Sequence, residues 1–253
     1  VLKTSQHWDP SIVRQIMLMA GRTRSMEGAA AGEGGVGLPP DLMALRVAGL
    51  LRAGEVVNLG LGLPTLVSNY IEGRNVTLHA ENGILGYGPF PAEGGEDIDL
   101  YNASGQLVTP VPGTAYFDST VSFAMARTGR VTSIVLGGFQ VAPNGDLANW
   151  NVPSTGVGGI GGAMDLAAGG GRIIVMMYHR ERSGASKLVP ALTYPATACG
   201  CVRDIVTDLA YLQVTPAGLV LKEIAPGLTV DDVRAATAAP ITVAPDIGEM
   251  QFA

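Results

Sequence analysis

The chain has 253 residues, 47% hydrophobic and 15% charged, a composition of core-rich globular proteins that excludes a disordered one. Its 16 basic and 22 acidic residues leave a net charge of −6, with no block of five or more Lys/Arg, so no nucleic-acid partner is expected. The longest apolar runs, such as 131–142, are too short to span a membrane, and no membrane partner is expected.

Taken in order, the chain begins with an apolar stretch at 12–19 that Arg14 and Gln15 interrupt. No A-x-A site follows, so a signal peptide is not expected. Residues 21–39 are rich in Gly, Ala and Glu and end at Pro39-Pro40, the composition of a linker. We therefore divide the chain into an N-terminal extension or linker, 1–40, and one domain, 41–253. Pro40 and Asp41 open a helix carrying Leu42, Leu45, Val47, Leu50 and Leu51, with Gly54 beyond its end. Val56-Val57-Asn58-Leu59 reads as a buried strand. Gly60-Leu61-Gly62-Leu63-Pro64 forms a turn into a second helix, 65–71, and a second strand, 76–79, leads to Glu81.

Residues 89–112 read as loop, 119–127 as a short helix, and 131–136 as a strand entering Gly137-Gly138. Asn144-Gly145 is a hairpin signal between Val141 and Leu147. The densest glycine loop, 156–162, precedes a helix start at 165–168 and an apolar strand at 173–177. Further along we expect a strand at 188–194, a helix at 202–209, and a hairpin of 211–214 with 219–223. Thr229 and Asp232 form a capping box opening a last helix to Ala236, and 241–243 is a final strand. Strands alternating with helices, then hairpins, imply an α/β sheet of mixed direction.

The stretch from His79 to Pro89 carries the chemistry. Glu81 falls where a buried strand runs out, and Asn82-Gly83 is a pair that turns the chain sharply. A carboxylate there is held rigidly yet stays within reach of a ligand. Gly86 and Gly88 add backbone that a bulky substrate can approach. The loop 156–162 reads either as a surface loop or as a cradle of bare N–H groups for a developing oxyanion.

Other motifs are weaker. Gly60-Leu61-Gly62 lacks the third glycine of a dinucleotide fingerprint, because Thr65 stands in its place. His79-Ala80-Glu81 with Cys199 and Cys201 fails the H-x-E and P-C-x-x-C spacing of zinc deaminases, so no metal site is expected and His79 is read as a packed strand residue. Cys199 and Cys201 would be strained as a disulfide, so a reduced, cytoplasmic protein is expected. Cys199 is read as a buried structural thiol, His179 being the one downstream candidate to activate it.

Residues 41–252 resemble the β subunit of family I CoA-transferases, of the 3-oxoacid (succinyl-CoA:acetoacetate type) group. The resemblance is carried by Val57-Asn58-Leu59-Gly60-Leu61-Gly62-Leu63-Pro64-Thr65, Glu81-Asn82-Gly83-Ile84-Leu85-Gly86, Tyr116-Phe117-Asp118-Ser119 and Ser122-Phe123-Ala124-Met125. Gly145-Asp146-Leu147-Ala148-Asn149-Trp150, Gly161-Gly162-Ala163-Met164-Asp165-Leu166 and the tail from Leu228 to Gln251 continue it in the same order. It implies the three-layer open mixed sheet shared by CoA-transferases and some sugar-phosphate isomerases. It implies Glu81 as a nucleophile that becomes a glutamyl-CoA thioester in a ping-pong reaction. It also implies Asn82 as a residue that orients Glu81, the Gly161 and Gly162 amides as oxyanion donors, and Gly60, Gly62, Gly83, Gly86, Gly138 and Asn149 as substrate or CoA contacts. No cofactor would be permanently bound and no metal or base would be needed, since carboxylates as a class are ionised near neutral pH. Acyl-CoA and a carboxylic, 3-oxo acid would be the substrates. A CoA-transferase α subunit would be the partner, in an α2β2 assembly.

The chain departs from the family pattern at Ala80, where a Ser is usual. It departs again at Asn102-Ala103-Ser104-Gly105-Gln106 for Asn-Ala-Gly-Lys-Glu, at Met177-Tyr178-His179 for Met-Glu-His, and at Tyr194-Pro195-Ala196-Thr197-Ala198 for Leu-Pro-Leu-Thr-Gly. These changes keep two alternatives open: a CoA-ester hydrolase or C–C bond-cleaving enzyme on the same fold, and a non-catalytic protein that binds acyl-CoA.

Overall fold

The computed structural model describes residues 37–252 apart from 93, 155 and 157. The segment read as an extension or linker therefore lies, up to residue 36, outside the described residues. Leu38 is buried, and its N–H donates to Asp208 O at 2.6 Å. Helix α1 (Pro40–Leu50) starts from an extended Pro39 with proline in its first turn, where the fixed φ is already helical and no N–H is lost. Seven consecutive residues of α1, Leu42 to Ala48, are buried. Among them Arg46 makes a bidentate pair with Glu223 at 2.7 Å and lies 4.9 Å from the centre of the Tyr211 ring. That fork-to-carboxylate geometry satisfies a charge that would otherwise be costly to bury.

A ten-stranded sheet organises the chain. Its strands are β1 (Val56–Leu59), β2 (Thr77–Ala80), β3 (Ile84–Tyr87), β4 (Pro110–Tyr116), β5 (Ser133–Leu136), β8 (Arg172–Met176), β9 (Val202–Val206), β10 (Ala210–Thr215), β11 (Gly218–Ile224) and β12 (Ile241–Glu249). They lie in the order β12-β11-β10-β9-β8-β5-β1-β2-β3-β4. The central block β9-β8-β5-β1-β2 is parallel throughout, and antiparallel strands continue it on both sides. A separate two-stranded hairpin, β6 (Gln140–Val141) with β7 (Leu147–Ala148), turns at Asn144-Gly145 as expected. Helices α2 (Ser119–Arg127) and α3 (Ala163–Ala168) pack on each other, and α3 also meets β5. Helix α4 (Val230–Ala236) starts at the expected capping box of Thr229 and Asp232. Among the described residues no helix is long and apolar enough to cross a membrane.

The parallel strands have a consequence for function. β1, β2, β5 and β8 all end at one edge of the sheet. The chain reverses its direction across the sheet at β1, with β2 on one side and β5 on the other. In open α/β sheets the crevice beyond such strand ends is where ligands bind.

Several expected elements come out differently. Residues 65–71 are not an α-helix but part of a 3₁₀ segment (Leu63–Tyr70). Thr65 Oγ1 donates to Gly62 O and Ser68 Oγ to Thr65 O, and these bonds to carbonyls three residues back favour the tighter winding. β3 was not expected, nor was β4, whose prolines and glycine hide a strand that survives because it sits at the sheet edge. Residues 188–194 form no strand beyond one bridge from Leu188 to Val141. The N–H groups of Thr193 and Tyr194 instead donate to the Gln140 side chain. Residues 202–209 are not helical but supply β9. Cys199 is exposed rather than buried, and His179 is enclosed by Thr207 and Thr237 with no thiol partner. Both cysteines are free, as expected, and burial pushes the Cys201 thiol up to about 11.

Candidate active site

The residue following each parallel strand lines one cavity of about 290 Å³. Gly60 follows β1, Glu81 follows β2, Gly137 and Gly138 follow β5, and Met177 follows β8. The opposite wall is the glycine loop Gly159 to Gly162 leading into α3. Small residues are needed where the walls approach. A Cβ on Gly138 would lie 2.8 Å from Met177 Sδ and 2.9 Å from Val175 Cγ1. One on Gly60 would lie 3.0 Å from Val135 O.

Glu81 is the one carboxylate on the described wall. Asn58 Nδ2 donates to its Oε2 at 2.8 Å. The same Nδ2 lies 3.2 Å from His79 Nδ1 and 3.3 Å from His79 O. Because Asn58 offers N–H to Nδ1, the neutral imidazole carries its proton on Nε2 and donates to Ser122 Oγ at 2.9 Å. Ser122 donates onward to Ala80 O at 3.3 Å. Burial lowers the His79 pKa to about 4, so this chain is neutral up to Glu81. His79 is fully buried and stacks on Phe117, the packed strand residue that was expected. The Tyr87 phenol is pushed up, by burial first and then by the negative charge of Glu81.

Gly162 brings the glycine loop to this carboxylate. A Cβ on Gly162 would lie 3.6 Å from Glu81 Cγ and 2.9 Å from Phe123 Cζ. Among the described residues, neither the Gly161 nor the Gly162 N–H donates to a protein acceptor. The site therefore combines a fixed carboxylate with free backbone donors next to it. Groups of His, Cys, Asp and Glu able to hold a metal are absent among the described residues.

Of the residues singled out in the sequence, Glu81, Gly60, Gly138, Asn149, Gly161 and Gly162 line this cavity, and Asn82, Gly62, Gly83 and Gly86 do not. Asn82 points away from Glu81 and donates to Tyr101 O at 2.8 Å. Gly62, at φ 81°, accepts the Thr65 N–H where the 3₁₀ segment begins. Gly83 has φ 119° in the turn after β2, where a side chain would overlap Phe117 O. Gly86 lies at an irregularity of β3 and faces a second cavity of about 510 Å³. Asn149 braces the wall: its Nδ2 donates to Gly137 O, and Thr197 Oγ1 donates to its Oδ1 at 2.6 Å. Sequence reasoning missed Asn58 as the partner of Glu81, and missed Lys187, the one cation on the described wall. A polar residue inside the apolar run of β1 was the available signal for Asn58.

The profile of the Coenzyme A transferase family matches residues 41–236. The β-type (B) component of the 3-oxoadipate CoA-transferase of Pseudomonas putida is 50% identical over 200 residues, covering 79% of this chain and 94% of the relative. The corresponding B component of the succinyl-CoA:3-ketoacid coenzyme A transferase of Helicobacter pylori is 44% identical over 198 residues, covering 78% and 96%. Among solved structures, an acyl-CoA transferase (YdiF) of Escherichia coli O157:H7, in a thioester complex with CoA, superposes with a TM-score of 0.66 at 21% identity. That alignment covers 84% of this chain and 43% of the longer E. coli chain, and it establishes the shared fold. The chain belongs to the CoA-transferase family, as a β subunit of the 3-oxoacid type.

Proposed function

We propose that this chain carries the nucleophile of a CoA-transferase that moves CoA from an acyl-CoA donor to a 3-oxo acid, through a glutamyl-CoA thioester at Glu81. The observation that supports this reading is the placement of Glu81: the sole carboxylate of the described cavity wall, held by Asn58, beside the free amides at Gly161 and Gly162. Carboxylate attack on the donor thioester gives an acyl-glutamyl anhydride and expels CoA thiolate. The thiolate attacks the glutamyl carbonyl, forming the Glu81 thioester and releasing the donor's free acid. The acceptor carboxylate then attacks that thioester, expelling CoA thiolate and forming a new anhydride. Attack of the thiolate on the acceptor carbonyl forms the product thioester and restores Glu81. Each addition makes an oxyanion, and one backbone donor aimed at it contributes about 3 kcal/mol.

The partner in this reading is a CoA-transferase α subunit in an α2β2 assembly, since the relatives at 50% and 44% identity are each named as one component, B, of a larger enzyme. Two free thiols suit the reducing cytoplasm. The test is to incubate the assembled complex with acyl-CoA and then borohydride. Hydride reduction of the thioester should convert Glu81 to the corresponding alcohol, found by peptide mass. Absence of the modified peptide, together with full transfer activity in Glu81→Gln, would reject the reading. Loss of acyl-CoA at full rate without any acceptor would point to hydrolysis instead.

A further inference from the structure

Lys187 lines the same cavity as Glu81, and these two are the charged side chains of its described wall. Its Nζ donates only to Gly138 O, at a long 3.4 Å. Lys187 takes part in none of the ion pairs of the described residues. The carboxylates that pull on it from a distance, Glu181 and Asp208, are engaged elsewhere: Glu181 accepts from Tyr194 Oη at 3.0 Å, and Asp208 from the His179 N–H at 2.7 Å. Burial lowers the Lys187 pKa against that pull. An ammonium withdrawn from water with one weak acceptor is costly, and an anion entering the cavity relieves that cost.

The size of the cavity limits which anion. At about 30 Å³ for each water-sized group, 290 Å³ holds roughly ten non-hydrogen atoms. That is the size of a short dicarboxylic acid and far below that of a nucleotide. The walls between the charged ends are apolar, with Leu61, Leu63 and Met176 suited to methylenes.

We propose that Lys187 binds the distal carboxylate of the transferred acyl group, so that the enzyme acts on dicarboxylic acids of about six carbons whose reacting end lies at Glu81. This rests on the reading of Glu81 above but is tested separately from it. Calorimetric titration of the assembled complex with adipate and hexanoate reads the second carboxylate alone. Adipate should bind at least tenfold tighter, as expected for a charge-assisted hydrogen bond. Lys187→Gln should bring the two affinities within about threefold, and Lys187→Arg should keep most of the difference. In the unmodified complex, adipate and not hexanoate should shield Lys187 from acetylation, which does not depend on a variant folding. Equal binding of the two acids by the unmodified complex would overturn the proposal, as would an unchanged ratio in Lys187→Gln. A tenfold loss of CoA affinity in Lys187→Gln, with the acid ratio intact, would assign the lysine to a phosphate instead. If the transfer assay fails while the acid ratio responds to Lys187, the catalytic reading falls and this one stands.

Discussion

At the scale of single residues, Asn58 decides how Glu81 is presented. A carboxylate on a flexible side chain must be fixed before it can attack, and one charge-assisted hydrogen bond from a fully buried amide does this. Asn58 is not part of the cavity wall, so removing its amide should alter chemistry more than binding. We expect Asn58→Ala to lower kcat of the assembled complex about 10- to 100-fold, the equivalent of about 1.5–3 kcal/mol, while KM for acyl-CoA changes by less than about threefold. Steady-state transfer kinetics check this, and a kcat within twofold of the unmodified complex would discard the role. The position of Glu81 at a strand end was legible in the sequence, because Asn82-Gly83 marks the turn. Its partner was not. Asn58 lies 23 residues earlier and meets Glu81 through the parallel register that sets Asn58 opposite His79. Local sequence carries no such register. Asn82, which stands beside Glu81 in the chain, looked the better candidate for the same reason.

At the scale of elements, β9 is the instructive case. Val202, Ile205, Val206 and Leu209 recur at helical spacing, yet the strand is buried on both faces and needs no alternation. What holds it is polar: Asp204 is 2% exposed and pairs with Arg172 of β8 at 2.7 Å, with Tyr211 Oη donating to its other oxygen. Arg172→Met would leave that carboxylate buried without its cation. The expected cost is about 3–5 kcal/mol, read as a lower urea midpoint, and a loss under 1 kcal/mol would refute the argument. Two histidines join elements in the same buried manner. His79 links β2 to α2 through Ser122, and His179 links the end of β8 to Thr207 and Thr237. Burial lowers the first to about 4 and, with help from Arg180, the second to about 3. The ordinary histidine value of about 6.5 applies once the chain unfolds. The unfolded state then binds more protons across that interval, so stability falls as pH drops below about 6.5 towards 4. At about pH 5 each histidine should cost about 2 kcal/mol relative to neutral pH. In His179→Gln that share of the pH slope should vanish, and an unchanged slope would deny His179 its part.

At the scale of the whole molecule, the charge of the chain conflicts with its substrate. CoA is a polyanion, the sequence carries a net −6, and Lys187 is the only cation on the described cavity wall. Steering and holding such a ligand requires positive potential over a wide surface, which this chain does not offer. The cavity also lacks a finished rim. Leu61 is 66% exposed and Ile160 is 64% exposed, both on its wall, and large apolar groups in that position gain by being covered. The C-terminal strand edge thus supplies the reacting carboxylate and its apolar approach, and leaves recognition of the nucleotide end to another surface. It follows that CoA titrated into the isolated chain should bind no tighter than the millimolar range. In the complex with an α subunit it should bind at least about 100-fold tighter, a coupling of about 3 kcal/mol. The gain should shrink as salt is raised, because screening weakens exposed charge pairs first. Isothermal titration at two ionic strengths reads both effects. Equal affinity with and without the partner would place the nucleotide site on this chain and remove the electrostatic reason for the assembly.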